Sequence, residues 1–150
     1  MIAWRYLDKQ QATLNALRDY RNMETVIEIS PDEVKGIKED MASPMNSVPD
    51  GMPHNGNIRC NENMLCGAID QCDILYNRYR QALEFMSWFT PAWLQLSKEE
   101  RLLLEAFYMG EDDKTAAVEY MSRQLHIERA QIYRRKDKAL NRLTIFLYGA

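Results

Sequence analysis

The stretch from Asp113 to Leu147 constrains the fold of this chain more than any other part of it. In its first half, small and apolar residues recur at three- and four-residue steps, at Ala117, Val118, Met121, Ser122 and Leu125. In its second half the same spacing joins Ile132, Ala139, Leu140, Leu143, Phe146 and Leu147. Such spacing gives a helix one buried face. Because only residues 125–127 separate the two patterns, the stretch predicts two helices joined by a tight turn, the helix-turn-helix arrangement.

Positive charge is concentrated in the second of these helices. Residues 123–142 contain seven basic and two acidic side chains, a net charge of +5, although the whole chain has a net charge of −3. A helical wheel places opposite the apolar stripe Ala130, Tyr133, Arg134, Asp137 and Asn141, with Gln131, Arg135 and Lys138 on one flank. An outward face that mixes cations, amides and a tyrosine suits a helix in the DNA major groove. The alternative interpretation is the solvated basic face of an ordinary surface helix.

The chemistry of the side chains assigns roles within that face. The residues expected to contact base edges are Arg129, Ala130, Tyr133 and Arg134, because Arg suits guanine and Tyr can make an apolar or hydroxyl contact. The residues expected to hold phosphates are Lys114, Thr115, Arg123, Gln131, Arg135 and Lys138. For the first two of these, the expected donors include the backbone N–H groups at the start of a helix.

Two segments carry a resemblance to a known family. Residues 125–143, LHIERAQIYRRKDKALNRL, resemble the promoter −35-reading segment of bacterial sigma factors, their region 4, and residues 96–104, LSKEERLLL, resemble the segment that precedes it. The chain as a whole is similar to the phage-encoded sigma-70 region 4-like transcriptional regulators of the RinA/ArpU type. The resemblance implies control of late genes in a phage or prophage, with double-stranded DNA and bacterial RNA polymerase as partners in the bacterial cytoplasm.

The sequence departs from the family pattern at four positions. His126 stands where the family favours Gly, at a position that requires a positive φ. Glu128 stands where Ser or Thr would cap the helix. Ala130 and Tyr133 replace the usual Glu and Arg, so the base preference of the family is not expected to transfer.

The whole chain predicts an all-α fold in two parts: an N-terminal antiparallel helical hairpin over residues 1–93 and a C-terminal helix-turn-helix module, sigma region 4-like, over residues 94–150. Within the hairpin, a Pro- and Gly-rich stretch predicts a disordered or mobile loop at about 43–58. The first hairpin helix, about 3–23, has a seam of Ala3, Leu7, Gln10, Leu14 and Leu17. The second, about 61–89, has a seam of Leu65, Ile69, Cys72, Tyr76, Tyr79, Leu83 and Met86.

Local signals set the expected helix ends. The β-branched run at residues 25–29 suggests an extended linker, followed by a short helix that starts at Ser30 and Pro31. Pro91 is expected to end the second hairpin helix. Residues 97–100 form a capping box that opens an acidic helix to about residue 109, which is expected to brace the basic helix from behind.

Several classes of function lack sequence support. Phosphate-binding loops, nucleotide fingerprints and nucleophile or zinc-protease motifs are absent, and His54 and His126 lie far apart. We therefore expect no enzyme, no cofactor and no metal site. No window of about 18 apolar residues suggests a membrane span, and Cys60, Cys66 and Cys72 suit free thiols in a reducing compartment.

Two other functions stay open beside a transcriptional regulator. A small phage DNA-packaging subunit of the terminase type could use the same module to recognise viral DNA, and would assemble into large rings. A polymerase- or sigma-binding interaction protein could place the basic helix on an acidic protein surface without reading DNA. The apolar surface of the N-terminal hairpin also allows a homodimer. The target sequence and the choice between activation and repression are not determined by the sequence.

Overall fold

The computed structural model describes residues 8–42, 58–110 and 113–149. They form five α-helices and a π-helical turn: α1 (Lys9–Ala42), α2 (Ile58–Leu94), α3 (Lys98–Leu104), the π-helical turn (Glu105–Met109), α4 (Lys114–Leu125) and α5 (Arg129–Tyr148). These ranges contain no strand, which confirms the predicted all-α class. The predicted loop at about 43–58 lies outside the described residues, apart from Ile58 at the start of α2, as do Ala3 and Leu7 of the first predicted seam. No helix within the described ranges has both the length and the apolar character needed to cross a bilayer.

α1 is one continuous helix of 34 residues that contains Pro31. The extended linker predicted for residues 25–29 and the helix start predicted at Ser30 are therefore wrong. Pro31 lacks an N–H, so it cannot donate to the preceding turn, but the Ser30 hydroxyl donates to the Val26 carbonyl oxygen in that turn (2.5 Å). Ser30 and Val34 are both buried. Tertiary burial on both sides of the proline thus outweighs the weak local preference of the β-branched run for extended structure.

α2 continues past Pro91 to Leu94, so the predicted end of this helix at Pro91 is also wrong. A proline inside a helix costs about 3 kcal/mol or more. Ala92 and Trp93, the next two residues, are each only 5% exposed. The burial of a tryptophan and its neighbour in the core offsets that cost, and this contribution cannot be inferred from the local sequence.

The chain divides into two compact units. The first consists of Met1–Met23 together with Glu84–Ala150, and the second of Glu24–Leu83. These units do not coincide with the segments 1–93 and 94–150 that the sequence suggested. The reason is that the first unit joins residues from both ends of the chain around a shared core.

The main core of the first unit is assembled from α1, α2, α3 and α5. Its buried members are Ala16, Leu17, Phe89, Ala92, Trp93, Leu96, Leu104, Ala139, Leu140, Leu143 and Leu147. Aromatic rings fill its centre: the ring of Phe89 is stacked on Trp93 with centroids 5.7 Å apart, and the Tyr20 ring lies 5.1 Å from Phe89. This core holds the C-terminal half of α5.

α3 begins with the predicted capping box. The Ser97 hydroxyl accepts a hydrogen bond from the Glu100 backbone N–H (3.2 Å), and the Glu100 carboxylate accepts one from the Ser97 backbone N–H (2.9 Å). Partial burial works against the charge of Glu100, but the Ser97 backbone N–H and the Arg142 guanidinium outweigh it and lower the pKa of this carboxyl. Leu103 and Leu104 are buried, and so is Phe107 in the π-helical turn that follows. α3 therefore has a defined start and a defined buried face.

In the second unit, α1 and α2 lie side by side. The Glu33 carboxylate pairs with Arg78 (2.6 Å), and the Lys38 ammonium lies 6.0 Å from the centre of the Tyr76 ring. Along α1, Glu33 precedes Lys38. Along α2 the order of their partners is reversed, because Arg78, the partner of Glu33, follows Tyr76, the partner of Lys38. An open cleft of about 360 Å³ lies between them, lined by Ser30, Pro31, Val34, Lys35, Lys38, Leu75, Tyr76 and Tyr79.

The predicted α2 seam is only half covered. Cys72 is buried as a free thiol. Four other members of the seam are between 42% and 52% exposed: Leu65, Ile69, Tyr76 and Leu83. α1 therefore covers only part of the seam, and Tyr76 and Tyr79 line the cleft that it shares with α2.

Candidate nucleic-acid interface

The corner between α4 and α5 is three residues long, from His126 to Glu128. His126 has φ 53° and ψ 41°, the left-handed conformation, and this confirms the positive φ predicted for its position. A left-handed residue after a helix redirects the chain within one residue. The Ser122 hydroxyl donates to the Ile127 carbonyl oxygen across the corner (2.7 Å). The Glu128 side chain makes no capping hydrogen bond to α5, as expected for Glu at that position.

One side of each of these helices is buried. The N-terminal half of α5 joins a small second core of Leu103, Phe107, Val118, Met121 and Ile132. The buried residues predicted for α4 are confirmed at Ala117, Val118 and Met121, and those predicted for α5 at Ile132, Ala139, Leu140, Leu143 and Leu147. α5 is therefore held from behind over most of its length.

Phe146 is an exception to the predicted buried face of α5. It is 37% exposed, and its ring lies 5.6 Å from the Arg142 guanidinium. Thr144 is buried instead, and its hydroxyl donates to the Leu140 carbonyl oxygen (2.8 Å). The buried stripe rotates around α5 because its two halves pack in two different cores. A single wheel drawn over the whole helix misses that rotation.

The outward face of α5 is exposed to solvent. All four residues predicted to contact bases are exposed, namely Arg129, Ala130, Tyr133 and Arg134. The residues predicted to hold phosphates are exposed as well: Lys114, Thr115, Arg123, Gln131, Arg135 and Lys138. Exposure makes these side chains available, and their roles stay predictions.

Three arginines of α5 form ion pairs with glutamates of other helices. Arg129 pairs with Glu119 of α4 (2.8 Å), Arg142 pairs with Glu100 of α3 (2.7 Å), and Arg135 pairs with Glu99 of α3. The partners are 10, 42 and 36 positions apart in the sequence, so no local pattern reveals them. These pairs partly neutralise the positive charge that the sequence places on α5.

Four cations of α4 and α5 make no ion pair or hydrogen bond to any other described residue. They are Lys114 and Arg123 of α4 and Arg134 and Lys138 of α5. Arg134 and Lys138 are four residues apart and therefore lie on the same face of the helix, about 6 Å apart along its axis. These cations are the ones most available to an anionic polymer.

The sequence did not indicate the position of Lys136, which lies among aromatic rings at the edge of the candidate interface. Its ammonium lies 3.0 Å from the Asp137 carboxylate, and 5.4, 5.9 and 5.7 Å from the ring centres of Phe107, Tyr108 and Tyr133. Burial opposes its charge, but the hydrogen bond to Asp137 and the neighbouring Tyr108 outweigh that effect and raise the pKa of Lys136. The Tyr133 ring also meets the Phe107 ring edge-on at 5.8 Å. Tyr133 is therefore held in place at the border of the open face.

The open face ends near Asn141. The Gln10 amide of α1 donates to the Asn141 side-chain oxygen (2.8 Å). Asn141, which the sequence placed on the outward face of α5, is therefore exposed but already hydrogen-bonded to α1. The predicted base- and phosphate-contacting residues of α5 thus lie between Arg129 and Lys138, in the N-terminal half of the helix. Exposed apolar residues, Ile145 and Phe146, lie nearer its C-terminal end. No family model, curated protein or solved structure matches this chain, so the resemblance to sigma region 4 depends on the sequence motifs.

Proposed function

We propose that this protein is a sequence-specific DNA-binding transcriptional regulator of a phage or prophage that acts with RNA polymerase in the bacterial cytoplasm. In this proposal α4 and α5 form a sigma region 4-like helix-turn-helix, and α1 and α2 form an antiparallel helical hairpin. The observation that carries the proposal is the two-sidedness of α5. Ile132 is fully buried, while Arg134 and Lys138 on the other side are exposed and pair with no carboxylate in the described part of the chain.

The geometry supports entry of α5 into a major groove. In helix-turn-helix proteins the N-terminal residues of the second helix contact base edges, and the exposed Arg129, Tyr133 and Arg134 lie in the N-terminal half of α5. Tyr133 and Arg134 would then contact bases, together with Ala130. Arg129 retains a side chain that is 64% exposed beside Glu119, so this pair can orient its guanidinium and leave other N–H groups for a base.

Phosphate contacts would come from both helices. Lys138 of α5 and Arg123 of α4 supply free cations, and the backbone N–H groups near Lys114 and Thr115 lie in the first turn of α4, where a helix favours anions. Gln131 and Arg135 are further candidates on the flank of α5. The Glu99 carboxylate beside Arg135 opposes a phosphate there, so we expect Arg135 to contribute less than Lys138.

Selection of binding sites from random double-stranded DNA, followed by fluorescence anisotropy at several salt concentrations, tests the proposal. We expect an enriched sequence that binds about a thousandfold or more tightly than random DNA, with affinity that falls steeply as salt rises. Arg18→Ala is a matched control, because it removes one exposed positive charge of the same compact unit from α1, which carries none of the predicted DNA contacts. Equal binding of all sequences would contradict sequence-specific regulation.

One observation favours a second candidate function. Arg129 and Arg135 of α5 already bind the carboxylates of Glu119 and Glu99. By the same chemistry, the exposed Arg134 and Lys138 are suited to carboxylates on an acidic protein surface, such as one on polymerase or a sigma factor. Retention of polymerase without any DNA binding at low salt would support this interaction protein. Assembly into large rings in the same buffer would instead support a DNA-packaging subunit.

A further inference from the structure

An apolar stripe on α2 is exposed in the unit formed by Glu24–Leu83. It consists of Leu65, Ile69, Tyr76 and Leu83, which are 52%, 47%, 52% and 42% exposed. At 100° per residue these four side chains fall within an arc of about 40° around the helix, and they extend over about 27 Å of its length. Single exposed apolar residues are ordinary. A continuous row of four along one helix is typical of an interaction surface.

The two edges of this α2 stripe differ. On one edge, Cys72 is buried and Tyr79 lines the cleft that α2 shares with α1. On the other edge, Asp73 and Arg80 are exposed, and neither forms an ion pair with another described residue. The stripe is therefore bounded by α1 on one side and by one acidic and one basic side chain on the other.

The spacing of the stripe is that of a coiled-coil seam. Ile69, Tyr76 and Leu83 are seven residues apart, and together with Leu65, Cys72 and Tyr79 they make alternating steps of four and three. This spacing keeps one side of a helix in contact with another helix over several turns. α1 lies along one edge of the seam and reaches Tyr76, whose ring centre is 6.0 Å from the Lys38 ammonium. Tyr76 is still 52% exposed, so a second helix can pack along the open side of the seam.

We propose that the α2 stripe binds the same stripe of a second copy of this chain, with the two α2 helices antiparallel about a two-fold axis near Tyr76. In that arrangement Ile69 of each copy meets Leu83 of the other, because both lie seven residues from the axis. Tyr76 meets its own equivalent. The contact is closed and self-complementary, so it gives a dimer rather than a ring or a filament.

Charge complementarity selects the antiparallel arrangement. A two-fold axis perpendicular to the helices brings the same flank of each helix together, so Asp73 of one copy approaches Arg80 of the other, twice per dimer. In a parallel pair this charged flank would face the Tyr79 edge, where α2 shares its cleft with α1. The surface therefore matches a second copy in one orientation only. This inference does not depend on whether the chain binds DNA.

Sedimentation equilibrium of the full chain over a range of concentrations tests the dimer. We expect a mass of twice 17.6 kDa for the parent protein, and at least tenfold weaker dimerisation for Ile69→Glu and for Leu83→Glu. Ile74→Glu is the matched control, because Ile74 is 66% exposed on the opposite side of α2. It should dimerise as the parent does. Far-UV circular dichroism verifies that each variant keeps its helices.

Charge exchange and cysteine cross-linking test the orientation. Asp73→Arg and Arg80→Asp should each weaken the dimer, and the double variant should restore it. In a chain whose native cysteines are replaced by alanine, Tyr76→Cys should form a disulfide-linked dimer on mild oxidation. Ile69→Cys should not, because in the antiparallel pair the two Ile69 positions lie about 21 Å apart.

Three results would overturn the proposal. A monomer at every concentration would mean that something other than a second copy covers the stripe, either a different protein or residues 43–57 of the same chain. A dimer insensitive to both glutamate variants would place the contact elsewhere. Cross-linking by Ile69→Cys as efficient as that by Tyr76→Cys, or a double charge variant that stays weak, would exclude the antiparallel arrangement.

Discussion

At the residue scale, Arg134 and Lys138 present the clearest contrast on the open face of α5. Both are exposed and free of carboxylates among the described residues, yet their expected tasks differ. A guanidinium can donate two hydrogen bonds to one guanine edge, whereas an ammonium on a flexible stem is suited to a phosphate. Base contacts discriminate between sequences and phosphate contacts do not. The two side chains therefore predict different experimental outcomes.

Arg134→Ala should weaken binding to the selected DNA site by about tenfold to a hundredfold and relax the preference at one base pair. The reason is that the variant loses a base contact but keeps the phosphate contacts. Anisotropy titrations against the selected site and against single-base variants of it measure both effects. An Arg134→Ala protein that binds the selected site as tightly as the parent would remove Arg134 from the groove.

Lys138→Ala should weaken binding to all DNA sequences alike. Each phosphate contact releases condensed counterions, so the slope of log affinity against log salt should become shallower by about one unit. Titrations at four or five salt concentrations give this slope, and the Arg18→Ala control should leave it unchanged. A change in sequence preference without a change in slope would instead assign Lys138 to a base.

Lys136→Gln should destabilise the fold, because Lys136 is half-buried and packs against aromatic rings, unlike the exposed Arg134 and Lys138. In the parent its ammonium is surrounded by Phe107, Tyr108 and Tyr133, so we expect the free energy of unfolding to fall by about 1 kcal/mol. Because the folded-state pKa is raised above the ordinary 10.5, this contribution is complete below about pH 10 and disappears as the pH rises through the folded-state pKa. Urea titrations in steps upward from pH 8 follow the difference, with the exposed Lys138→Gln as control. A difference between parent and variant that begins to shrink well below pH 10 would contradict the assignment.

At the element scale, the sequence predicts structure well where the partners are close along the chain. Ser97 and Glu100 are three residues apart, and His126 follows directly on a helix, so the capping box and the left-handed corner were both predictable. The local sequence predicts helix ends at Pro31 and Pro91 that the structure does not have, because the interactions that keep these prolines inside helices are tertiary. The α5 arginines show the same limit for the candidate site. Their exposure followed from periodicity, but their glutamate partners lie on other helices.

Glu100 links two elements and gives the prediction that belongs to this scale. Its carboxylate caps α3 and also accepts from Arg142 of α5 (2.7 Å). Glu100→Gln should lower the free energy of unfolding at pH 7 by about 1 kcal/mol, since it loses the charge at the helix start and the pair with Arg142. The folded-state pKa of Glu100 is lowered from 4.5, so the parent has this advantage above that pH and loses it as the pH falls through the folded-state pKa.

Denaturant titrations between pH 7 and pH 3 follow the acid dependence of the Glu100→Gln difference. Glu105→Gln provides the control, because Glu105 is exposed and its carboxylate takes no part in the capping box or in an ion pair to another described residue. The Glu100→Gln protein should converge with the parent at low pH, and the control should track the parent throughout. A constant difference across this range would attribute the effect to packing rather than to charge.

At the scale of the whole molecule, the helices proposed to bind DNA depend on residues from the other end of the chain. Leu17 of α1 and Phe89 of α2 are fully buried in the same core as Leu143 of α5. A segment of residues 94–150 alone would expose the C-terminal half of the α5 apolar face. Small single-core segments are marginally stable even when complete. The sequence patterns marked each apolar face but could not indicate which faces meet, because that pairing is set by the chain as a whole.

This dependence predicts that residues 94–150 expressed alone do not unfold cooperatively, whereas the full chain does. In the full chain, Leu17→Ala should lower the free energy of unfolding by about 2–5 kcal/mol, because it leaves a cavity beside Phe89 and α5. The matched control is Leu94→Ala, since Leu94 is 62% exposed and its truncation should change stability by less than about 0.5 kcal/mol. Thermal melts followed by circular dichroism compare all four proteins. If the isolated segment melts as sharply as the full chain and at the same temperature, the N-terminal residues contribute nothing to the stability of α5, and the shared core is not what holds the face proposed to bind DNA in place.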